Sequence, residues 1–212
     1  MQEVPPEQPL LPLAVAKVIG QAVPGFLQGR TYSFLSEDER WKIALTREFL
    51  ALSTATYISW SEFRSKLQVA TDALVATYSP SFFVRIGLRY RDVIRKATLG
   101  LEEIQWSKLL KPHVLGELGH PRISKLVQHS AHDLLISLDG RKGQVRILHG
   151  LIREGQNRDF SYSIDSDFFY EGRTELTHVF EYLDSFNKEA GKLFRWSITP
   201  LLHKRLGPTK SR

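Results

Sequence analysis

The stretch FFVRIGLRYRDVI, residues 82–94, alternates between apolar residues and arginine or glycine from Val84 to Arg91. Successive side chains of an extended chain leave opposite faces, so Phe82, Val84, Ile86, Leu88 and Tyr90 point one way and Arg85, Gly87, Arg89 and Arg91 the other. A strand of this kind belongs in a sheet with one apolar and one polar face. Any fold proposed for the chain has to supply a cover for the first and a use for the second.

Neighbouring segments supply more strands. RTYSFLS (30–36) and RWKIALT (40–46) flank the acidic turn Glu37–Asp38–Glu39, and FLALSTATY (49–57) follows almost at once, which makes a meander. Ser59 then reads as an N-cap, with Glu62 completing a capping box. Trp60, Phe63, Leu67, Ala70, Leu74 and Tyr78 recur at helical spacing until Pro80, which predicts a helix with one buried face. Residues 106–118 read as short helical turns broken around Pro112. A second meander covers about 130–138, a Gly140–Gly143 hairpin tip, 144–152 and 159–169. From Thr174 a long helix carries Leu176, Val179, Phe180, Leu183, Phe186, Ala190 and Leu193 in register. Thr199 and Pro200 open a last helix that Gly207 and Pro208 close.

The element order is three strands and a helix, twice, with strand 82–94 between. That predicts an α+β fold, an antiparallel sheet built as two β-β-β-α halves with long helices packed on one face. The halves, about 30–96 and 97–208, form one domain. A Pro-rich lead with a short helix at 13–23 occupies residues 1–29, and 209–212 form a basic tail.

Composition narrows the function classes. Of 212 residues 42% are hydrophobic and 25% charged, ordinary globular usage, and no apolar run is long enough for a membrane span. The start, MQEVPPEQPLLP, is acidic and Pro-rich, unlike a signal peptide. With no cysteine there is no disulfide framework, thiolate nucleophile or Cys-bound zinc, and a cytoplasmic setting is expected. The net charge of +6 concentrates in Arg85 to Lys96.

Three constellations are candidate sites. YSIDSDFF places Asp165 and Asp167 two apart on a strand, on one face, with Cβ atoms ~6.5–7 Å apart. Such a pair suits a hard cation such as Mg²⁺, with Asp159, Glu171 or Asp139 as a third acid. Alternatively both acids pair with arginines on a neighbouring strand, since they lie opposite the face of Tyr162, Ile164 and Phe168. The second constellation is Arg85, Arg89 and Arg91, whose planar guanidiniums suit phosphate, with Gly87 leaving a gap between two of them. No aromatic alternates with those arginines on their own strand face, Phe83 being the nearest. The third is HSAHD, where a strand puts His129 and His132 on opposite faces, while His149 sits in an apolar stretch. No P-loop, dinucleotide fingerprint, G-x-S-x-G elbow or H-E-x-x-H occurs, and no catalytic constellation assembles.

As a set, FLALST, SWSEFRSKL, FFVRIGLRYRDVI, HGL, YSIDSDFF and FRWSITPLLHKRLGP resemble a family of sporadically distributed bacterial and archaeal proteins of unassigned function. The resemblance spans residues 30–208. It implies an additional strand before the first hairpin, and the roughly two dozen residues here lead to the expectation of an exposed sheet edge. It implies no activity, and the family's scattered occurrence suggests a regulatory or defence-system component acting with a neighbouring effector.

The leading expectation is a non-catalytic binding or assembly protein without a cofactor. It uses the basic sheet face or an exposed edge to engage a protein, a second copy, or a nucleic acid or other polyanion, and not a membrane. The alternative is a metal-dependent phosphotransfer or nuclease-like enzyme centred on Asp165 and Asp167, with Mg²⁺ as cofactor.

Overall fold

A computed structural model describes residues 30–138, 143–153 and 160–207. The lead 1–29 with its helix, the Gly140–Lys142 part of the hairpin tip, Asp139, Asp159, Pro208 and the tail 209–212 lie outside the described residues. Contacts divide the chain into two units, Met1–Ser79 and Pro80–Arg212.

In the first unit β1 (Tyr32–Leu35), β2 (Trp41–Leu45) and β3 (Leu50–Thr54) form an antiparallel meander in that order. Helix α1 (Trp60–Tyr78) starts where the Ser59 Oγ accepts the Glu62 amide at 3.2 Å, and Ser79 ends it in the left-handed region at φ 45°. Phe63 packs against Trp41 of β2 with ring centroids 5.8 Å apart. The expected helix stripe is only partly buried: Ala70 is enclosed, whereas Tyr78 is 65% exposed. Length accounts for this. A helix of 19 residues runs about 28 Å, and strands of five reach about 17 Å, so the last turns overshoot the sheet.

The second unit opens with β4 (Phe83–Arg95), followed by short turns α2 (Lys96–Leu99), α3 (Trp106–Leu109), α4 (Pro112–Leu115) and a 3₁₀ turn at Gly116–Gly119. Strands β5 (His132–Ser137), β6 (Gln144–Arg153) and β7 (Phe160–Thr174) follow, then a 3₁₀ turn at Leu176–His178, α5 (Val179–Ser197) and α6 (Pro200–Arg205). The sheet order is β4-β7-β6-β5, antiparallel throughout. A boundary between halves near residue 96 is therefore not where the contacts divide, because β4 hydrogen-bonds to β7, at the other end of its unit.

Pleating sorts this sheet into two faces. Ile86, Leu88 and Ile94 of β4, Tyr162, Ile164 and Phe168 of β7, and Val145, Ile147 and Leu151 of β6 are all 6% exposed or less. Helix α5 covers that face with Val179, Leu183, Phe186 and Ala190, all buried, and the Tyr90 hydroxyl donates to Asn187 of α5 at 2.9 Å. The long helix begins at Val179 instead of Thr174 because β7 continues through Thr174, which pairs with Phe83 and is 3% exposed. A second knot of packing holds α6: Thr199 accepts the Leu202 amide at 3.4 Å as an N-cap and donates to the Lys108 carbonyl at 2.7 Å. Leu109, Leu110 and Leu202 are fully enclosed there.

Candidate interaction surface

Opposite the helix-covered side, β4 and β7 bring the sequence's arginines and aspartates together. Arg89 faces Asp167, Arg91 faces Asp165 and Arg85 faces Glu171. The bonds run diagonally: Arg89 reaches two residues along β7 from its register partner, to Asp165, and Arg85 reaches four, to Asp167. Arg89 grips Asp165 with Nε and Nη2, each 2.6 Å from a carboxylate oxygen, and the Arg85 Nη2 donates to Asp167 at 3.0 Å. Arg85 also lies 3.7 Å from Glu171. Arg91 makes no hydrogen bond or ion pair with the described residues.

Gly87 explains how this fits. A Cβ built there would stand 3.0 Å from the Arg85 Nη1, so the gap in the arginine row is occupied by the Arg85 guanidinium itself. That group also sits 5.0 Å above the ring of Phe169, the aromatic missing from the strand's own face and supplied by its neighbour.

The network continues across the sheet. Arg146 of β6 faces Asp167 in register and holds Asp133 of β5 through Nε at 3.0 Å and Nη2 at 2.6 Å. The Arg146 hydrogen bond keeps the Asp133 carboxyl below the ordinary carboxylate range. Burial raises Asp167 despite the nearby Arg85 and Arg89. On this face Arg85, Arg89, Arg91, Arg95 and Arg146 stand against Asp133, Asp165, Asp167 and Glu171, close to neutrality. Asp165 and Asp167 each turn to a guanidinium, and among the described residues no group of three or more His, Asp or Glu is arranged to hold a metal ion.

Exposed apolar side chains gather at the sheet's end. On β5 Leu134 is 44%, Leu135 60% and Ile136 39% exposed. Leu135 and Arg146, directly paired, share a shallow depression with Asp133 and Phe169 on the open face.

On the covered face His149, in its apolar stretch, is a buried hydrogen-bonded histidine, and its partner Tyr162 is what the sequence did not point to. The Tyr162 hydroxyl donates to the Val114 carbonyl at 3.0 Å, so His149 must donate its Nδ1–H to the Tyr162 oxygen at 2.7 Å. His132, paired with His149 across β5 and β6, stacks on it at 4.9 Å. Burial, then His132 and His113, lower His149 to about 4, and burial raises Tyr162. The adjoining cavity, lined by His113, Leu134 and Trp196 among others, measures about 20 Å³, room for one water and no ligand. His129 precedes β5 and takes no part in this cluster. Asp92 is the other omission. By the alternation it falls on the apolar face between Tyr90 and Ile94, where burial and Asp165 push it up to about 6.

No family model, curated protein or solved structure matches this chain. Among the described residues no helix is long and apolar enough to cross a membrane. The surface has to be read from its own chemistry.

Proposed function

We propose that the chain is a non-catalytic binding or assembly module that engages a protein partner through the outer side of β5, with the adjoining open face as a polar rim. The observation that carries this reading is the exposure of Leu134, Leu135 and Ile136 at a sheet edge. Apolar area concentrated at an unpaired edge is what strand addition by a protein uses. The arginines argue in the same direction. Arg85 and Arg89 already hold carboxylates, and a phosphate would have to displace Asp167 and Asp165 to reach them.

Affinity purification with three forms of the chain tests the reading. A protein captured by wild type is expected to be lost with Leu135→Arg and kept with Arg91→Glu. A labelled single-stranded oligonucleotide is expected to bind all three weakly and alike. Retention of the partner by Leu135→Arg, or tight salt-sensitive oligonucleotide binding abolished by Arg91→Glu, overturns it.

A further inference from the structure

We infer that the occupant of the β5 edge is a second copy of this chain, paired antiparallel about a two-fold axis at Leu135, an inference that rests on the protein-docking reading above. The two edges of the four-stranded sheet differ in kind. β4 is guarded: a register shift between Phe83 and Arg85 breaks its ladder, and Arg85, Arg89, Arg91 and Arg95 line its open side. β5 has no bulge against β6, no Lys, Arg or Pro, and one charged acid, Asp133. Natural sheets use those devices to keep edges from pairing, and of them β5 carries only the charge of Asp133, already tied to Arg146.

The strand is also complementary to itself. A two-fold at Leu135 sets Leu135 opposite its copy and Leu134 opposite Ile136, so each exposed apolar side chain meets an apolar one on its own face. Sliding the copies by two residues, the smallest shift that keeps like faces together, sets Leu135 opposite Asp133 or Ser137 instead. Charge agrees with the same register. Asp133 is already neutralised by Arg146, and in the pair the two Asp133 side chains stand ~14 Å apart, beyond the ~8 Å screening length at physiological salt. On the helix side Trp196, 53% exposed, borders the same small cavity as Leu134 and widens the apolar strip. A strand of six residues is a small interface, so the dimer is a concentration-dependent one.

Single cysteines test the register directly, because the chain has none of its own. Opposed residues of antiparallel strands have Cα atoms about 4.5–5.5 Å apart, within disulfide reach. Under mild oxidation Leu135→Cys is expected to form a covalent dimer. Asp133→Cys mixed with Ser137→Cys is expected to give the heterodimer faster than either alone. Leu148→Cys, 38% exposed on inner strand β6, stays monomeric as the control. Sedimentation equilibrium of wild type should show the reversible dimer, lost in Leu135→Arg, with circular dichroism confirming that the variant folds. A monomer at every concentration, with Leu135→Cys no faster than Leu148→Cys, overturns self-pairing. If Leu135→Arg still loses a different captured protein, the docking reading stands without it; if it loses none, both fail.

Discussion

Removing Arg89 or Asp165 separates an ion-pair role for the acid from a metal-binding one. The Asp165 side chain is 13% exposed and that of Arg89 34%, between a surface pair and an enclosed one. Surface pairs contribute about 0–1 kcal/mol, and breaking a buried pair costs about 3–5 kcal/mol. Two short charge-assisted bonds place this pair in the middle. Arg89→Ala is expected to cost about 1–3 kcal/mol, cushioned because Arg91 faces Asp165 in register. Asp165→Asn is expected to cost about 1–2 kcal/mol, with a coupling energy of about 1–2 kcal/mol between the two sites. Urea unfolding measures this in a background where Trp41 and Trp60 are replaced by Phe, so that Trp106 and Trp196 report the second unit alone. Two carboxylates waiting for a cation repel each other, so a metal site predicts the opposite sign for the metal-free protein. A more stable Asp165→Asn, or a coupling below about 0.3 kcal/mol, refutes the pairing argument.

The covered face and the open-face crossing at Gly150 give three further tests. Asp92, raised to about 6, favours the folded state fully below its unfolded value of 3.8 and loses that contribution as pH rises through 6. Asp92→Asn should therefore raise stability by about 1–2 kcal/mol at pH 8 and leave it unchanged near pH 4, read from urea midpoints. His149, lowered to about 4, works the other way: its contribution is complete above 6.5 and disappears as pH falls to about 4. The stability difference between wild type and His149→Gln should shrink by about 1–2 kcal/mol across that window, after allowance for solvent screening. At Gly150 a Cβ would meet the Ser130 carbonyl oxygen at 1.9 Å, so Gly150→Ala should cost more than about 3 kcal/mol in the same assay, while Gly191→Ala, in open space, should not destabilise.

How much of this was legible beforehand depends on range. The alternation at 82–94 and the Ser59 cap act through near neighbours, and both elements form, although a register shift between Phe83 and Arg85 leaves Phe82 and Val84 exposed instead of on the apolar face. The shared polar face of Asp165 and Asp167 favours their pairing with the arginine stripe, but which arginine holds which acid needs β4 beside β7, a contact 76 residues long in sequence. Gly87 showed a gap in the arginine row, but only the fold shows Arg85 lying in it. Leu134–Leu135–Ile136 has no polar alternation and resembles a strand buried on both faces. Its exposure comes from its place at the sheet's end, which hydrophobicity does not encode. Asp92 was visible as an acid in apolar phase, and the His149–Tyr162 bond required the β6–β7 register.

The most direct measurement is amide hydrogen exchange on the full chain, compared between dilute and concentrated protein and then with any captured partner. Slowed exchange confined to residues 132–137, with 83–95 unchanged, is the expected result, since of the two edge strands, β4 and β5, the proposal assigns β5 to the partner. Protection appearing instead along 83–95, around Arg85, Arg89 and Arg91, would make the basic edge the working surface and contradict the assignment to β5.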